Sequence, residues 1–171
     1  VRPVGGDVIC ISSLKWIRVS CCGKGYRVKQ DFKQCLESGK IIAFPRGKKL
    51  VQKEVSIAQT DLSDAKAGFD NQRYKWSTIQ GYYAMFHAAR ALIYSRGYRE
   101  KSHYCLAVAL RALLVDENLM EAQSVRDFLN AMNLREAADY EAEFSESRAK
   151  AVIASAERFI KKAMAILSPP S

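Results

Sequence analysis

No proline occurs between Lys48 and Pro169, and glycine appears in that stretch only at Gly68, Gly81 and Gly97. Proline removes a backbone donor and clashes with the preceding turn, and glycine loosens a helix interior, so so long a stretch nearly free of both points to an all-helical body. Apolar periodicity divides it. Val51, Val55, Ala58, Leu62, Ala65 and Phe69 form one stripe, and the segment stops near Gly68–Asn71. Residues 74–95 repeat every 3.5–3.6 residues through Trp76, Ile79, Tyr83, Phe86 and Ile93, while Tyr82, Met85, Ala89 and Leu92 widen the apolar face into that of a central helix. Gly81, Ala84, Ala88 and Ala91 add a ridge of small side chains, open to close approach by another helix of the same chain or of a second protomer.

A third helix capped by Ser102 presents Leu106, Ala109, Leu110, Leu113 and Leu114 until Asp116–Asn118. A fourth runs from Leu119 through Val125, Leu129 and Met132 to Tyr140, and a last one spans roughly 147–167. The predicted fold is an all-α, up-and-down bundle of four to five helices over residues 45–168. Residues 1–44 read as a separate basic extension, non-helical or partly β. The β-prone runs Val8–Ile11 and Trp16–Val19 suit a small hairpin or a poorly ordered leader equally well, and Asp31–Glu37 could add a short helix ending at Gly39.

Charge follows the same division. The net charge is +9, but residues 1–50 hold 11 Lys and Arg against 3 Asp and Glu, whereas residues 51–171 hold 16 against 15. Any argument for a polyanion partner must therefore rest on local clustering in the body. The start of the chain lacks the basic-then-apolar layout of a signal peptide and no run of eighteen apolar residues exists, so the reading expects a cytoplasmic protein without a membrane segment. Five cysteines without a CxxC pair, alongside only His87 and His103, argue against a metal site or a disulfide framework and favour free, buried thiols.

Between two helical segments lies Ser95-Arg96-Gly97-Tyr98-Arg99-Glu100-Lys101-Ser102-His103-Tyr104, a basic turn that ends on a histidine at a helix start. Arginine and histidine at this range are a minimal kit for phosphodiester chemistry: imidazole moves a proton and guanidinium holds phosphate charge. The positive end of the helix, with Arg96, Arg99 and Lys101 nearby, predicts a lowered pKa for His103. A solvated turn beside an ordinary helix-start histidine is the blander reading of the same residues. His87 reads as a packed or interface histidine, Arg90 as the partner of a carboxylate such as Asp139, and Arg135, Asp139 and Tyr140 as a polar lock between helices.

The run Tyr82-Tyr83-Ala84-Met85-Phe86-His87-Ala88-Ala89-Arg90-Ala91-Leu92, followed by Arg96-Gly97-Tyr98 and Ser102-His103, resembles the HEPN domain family, as do Asp61–Trp76 and Arg135–Tyr140. The likeness covers about residues 45–167, and residues 1 to about 28 have no counterpart in it. It implies a helical bundle, commonly homodimeric and often encoded beside a minimal nucleotidyltransferase as a toxin and antitoxin pair. Many members are metal-independent ribonucleases marked by an arginine, four to six residues, then a histidine; Arg96, six intervening residues and His103 meet that spacing. On this reading Arg96 and His103 are the catalytic pair, and Arg99, Lys101, Ser102, Tyr98 and Tyr104 bind phosphate or RNA. No cofactor or metal is implied. Other members bind nucleotides or RNA without cleaving, or serve as adaptors for a partner nucleotidyltransferase, so both of those readings stand beside cleavage.

Overall fold

A computed structural model describes residues 24–168. Six α-helices and one pair of strands follow in the order α1 (Lys24–Glu37), β1 (Ile41–Ala43), α2 (Val51–Asp70), α3 (Tyr74–Ser95), β2 (Tyr98–Glu100), α4 (His103–Leu110), α5 (Ala122–Tyr140) and α6 (Glu146–Leu167). A 3-10 turn, Pro45–Leu50, leads into α2, and a π-helical turn, Arg111–Val115, extends α4. The predicted all-α bundle is present, and α5 runs unbroken through Asn133. The runs Val8–Ile11 and Trp16–Val19 lie outside the described residues.

Helix α3 is the axis of the bundle and packs against α2, α5 and α6. The small-residue ridge is used within the chain: Gly81, Ala84, Ala88 and Ala91 are all buried, and a Cβ at Gly81 would stand 2.9 Å from Val152 Cγ1 on α6. Glycine is thus what lets α6 lie close to α3. One member of the predicted stripe departs from it. Trp76, in the first turn of α3, is 56% exposed with Lys75 Nζ 5.7 Å from its ring centre.

The segment before the bundle is tied to it. Strand β1 pairs antiparallel with β2, placing Ile41, Ile42 and Ala43 opposite Glu100, Arg99 and Tyr98. Flanking bonds from Lys101 N to Lys40 O (2.8 Å) and from Phe44 N to Gly97 O (2.6 Å) lengthen the clasp. Gly97 takes φ +79°, a left-handed turn that disfavours other residues and swings the chain from α3 into β2.

The expectation of free thiols is corrected at two positions, because Cys35 of α1 and Cys105 of α4 form a disulfide, Cα atoms 6.0 Å apart. Packing of α1 along α4 brings together residues 70 apart in sequence, a proximity that cysteine spacing does not encode. Cys10, Cys21 and Cys22 lie outside the described residues. No helix among those described is long and apolar enough to cross a membrane.

Closing so long a loop restricts the unfolded chain, so reduction, or the paired change Cys35→Ser and Cys105→Ser, is expected to lower unfolding free energy by about 2–4 kcal/mol in urea denaturation. An unchanged midpoint would mean the bridge does not form in the folded protein.

Candidate functional site at the start of helix α4

His103 is the first residue of α4, preceded by Ser102 in extended conformation at the N-cap position. The Ser102 side chain makes no capping bond; its carbonyl accepts from Leu106 N at 3.0 Å. No Ser102 cap therefore occupies the N–H groups of this first turn, which in helices generally are unpaired donors.

The histidine ring lies against an aromatic wall. It stacks on Phe86 with centroids 4.7 Å apart and planes 27° apart, and on Tyr82 at 5.8 Å and 21°. Its Nδ1 is hydrogen-bonded to the hydroxyl of Tyr82, a side chain with no exposed surface. The residue as a whole is exposed. Burial of the ring, followed by the charges of Arg135 and Arg90, holds its pKa below the usual 6.5, with Glu136 opposing. The direction agrees with the sequence reading, but the charges responsible do not: Arg135 and Arg90 press on the imidazole, in place of Arg96, Arg99 and Lys101.

The other predicted residues take separate positions on the turn. Arg96 ends α3, and its Nη1 lies 3.3 Å from Glu117 Oε2 in an exposed ion pair. Along β2 the side chains alternate. Arg99 is exposed with its guanidinium 5.6 Å from the Phe44 ring centre, whereas Tyr98 packs edge-on against Phe32 at 5.7 Å. Lys101 is exposed, and Tyr104 is 41% exposed with its hydroxyl pKa raised by burial and by Asp31.

Behind the turn lies a buried polar cluster that corrects the partner expected for Arg90. Its Nε is 2.9 Å from Glu100 Oε1 and its Nη1 3.8 Å from Glu54 Oε2, and Nη2 donates to the Tyr94 hydroxyl at 2.6 Å. Asp139 instead pairs with Arg135, one turn away on α5, at 3.1 Å. Geometry decides the choice: β2 brings Glu100 against α3, whereas the i,i+4 spacing already engages Asp139. Burial raises the Glu100 carboxyl despite Arg90. At Glu54 burial acts in the same upward sense, but the His87 hydrogen bond and Arg90 outweigh it and hold the carboxyl below its usual range. His87 is a packed histidine between Glu54 (2.7 Å from Nδ1) and Asp61 (3.8 Å from Nε2).

Arg135 is the lock between helices that its sequence context suggested: Nη2 donates to the Tyr83 hydroxyl at 3.2 Å, and the guanidinium faces the Tyr83 and Tyr140 rings at 5.7 and 5.5 Å. It is also the foremost cation acting on His103. Tyr82 and Phe86 are the residues that sequence reasoning left in the core. Their periodicity announces burial and carries no sign that a histidine from another helix will meet them.

Comparison with known proteins supports one family. The HEPN domain pattern matches residues 51–166. A Methanocaldococcus jannaschii protein named "Putative toxin MJ0605" is 34% identical over 118 residues, 67% of this chain and 88% of its own length. A Pyrococcus horikoshii protein, "UPF0332 protein PH1297", is 36% identical over 53 residues, 31% of this chain and 37% of its own.

Two outcomes are expected. Because the folded pKa of His103 is depressed, the unfolded chain binds more protons below about pH 6.5, and this residue subtracts stability as pH falls from there through the folded value. Ring C–H resonances of His103 should titrate below 6.5, and a midpoint at or above it would contradict the burial account. Arg90→Ala strands Glu100 and Glu54 and should cost about 3 kcal/mol in urea unfolding; a loss under about 1 kcal/mol would show the cluster to be solvated.

Proposed function

The chain belongs to the HEPN domain family, and on that premise we propose that it is a metal-independent endoribonuclease, acting in the cytoplasm as the toxin of a pair whose antitoxin is a minimal nucleotidyltransferase. The observation that carries this reading is His103: an exposed residue at a helix start whose imidazole lies against aromatic rings and whose pKa is lowered by partial burial of the ring and by Arg135 and Arg90.

Such a ring suits RNA cleavage by its own 2′-hydroxyl. The 2′-oxygen forms a bond to phosphorus as its proton passes to imidazole, the bond from phosphorus to the 5′-oxygen breaks, and that oxygen takes a proton. The products are a 2′,3′-cyclic phosphate and a free 5′-hydroxyl. Arg96, exposed and held among the described residues by a surface ion pair with Glu117, can leave that carboxylate for the phosphate as charge builds. Arg99, Lys101, Ser102 and the first-turn N–H groups extend the anion-holding surface, and Tyr104 offers a partly exposed ring to a base. In a homodimer the partner's His103 supplies the proton that the leaving oxygen needs when that ring enters the step as imidazolium.

A second reading has its own observation. Arg96 is turned to Glu117, and the cations acting on His103 sit in structural locks, which also suits a module that holds a nucleotide or RNA phosphate without turnover.

Wild-type protein is expected to cleave a labelled mixed-sequence RNA in EDTA to cyclic-phosphate ends. His103→Ala should lose at least about a hundredfold in rate, with its helical circular dichroism retained, and Arg96→Ala should fall substantially without changing the products. Absence of cleavage by folded wild type, together with RNA binding weakened by His103→Ala, would move the assignment to the binding module.

A further inference from the structure

Tyr82 carries a buried hydroxyl with one observed partner, and that fact bears on the protonation of His103. The side chain has no exposed surface, and the only hydrogen bond of its hydroxyl among the described residues is the one to His103 Nδ1. A neutral tyrosine has one proton to donate. Burial, opposed only in part by Arg135, pushes its ionisation far above the ordinary range, so the hydroxyl stays neutral. If it accepted from Nδ1–H, its own proton would be left in the core without an acceptor, a state that buried donors avoid.

We infer that Tyr82 is a positioning residue for His103: it donates its hydroxyl proton to Nδ1, so the neutral ring carries its proton on Nε2, the nitrogen left without a partner among the described residues. This rests on the reading of His103 as the group that meets a phosphate. In the resting protein Nε2 is then a hydrogen-bond donor, suited to a non-bridging phosphate oxygen. Accepting a proton at Nε2 requires the other tautomer, reached as Nε2 gives its proton to water and Nδ1 takes one from water; Nδ1–H then donates to the Tyr82 oxygen and the tyrosine proton is left unpaired, so this tautomer is the minor one. The ring therefore engages phosphate first as a donor, and Tyr82 controls its passage to a base. Phe86 and Tyr82, stacked with the imidazole, hold the plane in which this exchange takes place.

Long-range nitrogen–proton correlation on uniformly 15N-labelled, full-length protein above the His103 titration range reads the tautomer directly. The predicted pattern assigns the proton to Nε2 in wild type, with inorganic phosphate shifting Nε2 more than Nδ1. Tyr82→Phe should lose the single-tautomer pattern and weaken phosphate binding by several-fold while circular dichroism stays unchanged. A wild-type proton on Nδ1 would overturn the inference outright, with no need for the variant to fold. So would a folded Tyr82→Phe protein with the tautomer and phosphate affinity of wild type. RNA cleavage by a wild type that carries Nδ1–H would refute the role of Tyr82 and leave the ribonuclease reading standing; an Nε2–H ring in a protein that cleaves nothing would do the reverse.

Discussion

Helix α3 turns the polar groups of Tyr82, His87 and Arg90 toward its neighbours, and each of these three fixes a partner. Because the helix is covered by α2, α5 and α6, its hydroxyl, imidazole and guanidinium groups cannot be solvated in the ordinary way and must find partners in the chain. Tyr82 takes His103, His87 takes Glu54, and Arg90 takes Glu100 with Glu54 and Tyr94. Apolar burial explains why the helices associate. The polar pairs explain why α4 starts where it does, and why β2 turns its third side chain inward.

The second constraint is the clasp formed by β1 and β2. A basic turn between helices would ordinarily be mobile, since few of its side chains are buried. Here the turn from Gly97 to Lys101 is hydrogen-bonded to Lys40–Phe44, and the disulfide ties α1 to α4 two residues beyond His103. A segment outside the family pattern thus stiffens the turn on which the candidate chemistry depends. Preorganisation of this kind lets a site meet developing charge without first paying to order itself.

Much of the bundle is legible in the sequence because its helices are long and their apolar stripes continuous; α2, α3 and α6 fall close to the expected bounds. Trp76 reads as core yet is exposed, because periodicity does not register that the first turn of α3 lacks cover for this side chain. The strand pair escapes detection for a different reason. Three residues on each side carry almost no pattern, and their pairing joins distant parts of the chain. Cys35 and Cys105 are invisible as partners on the same ground. At the candidate site, the place of His103 at a helix start is readable from Ser102 and the turn before it, whereas Tyr82, Phe86 and the influence of Arg135 arise only once α3, α4 and α5 have packed.

Central to the proposed function is that RNA phosphate meets this protein at the start of α4. Titrating a short single-stranded 2′-deoxyoligonucleotide, which cannot cleave itself, into isotopically labelled protein tests it by chemical-shift mapping. The largest perturbations are expected at His103 and its ring partner Phe86, along the backbone of Ser102–Cys105, and at the Arg96 and Arg99 side chains. Perturbations confined to the groove between α5 and α6 around Lys161, Lys162 and Arg158, with His103 unmoved, would contradict it.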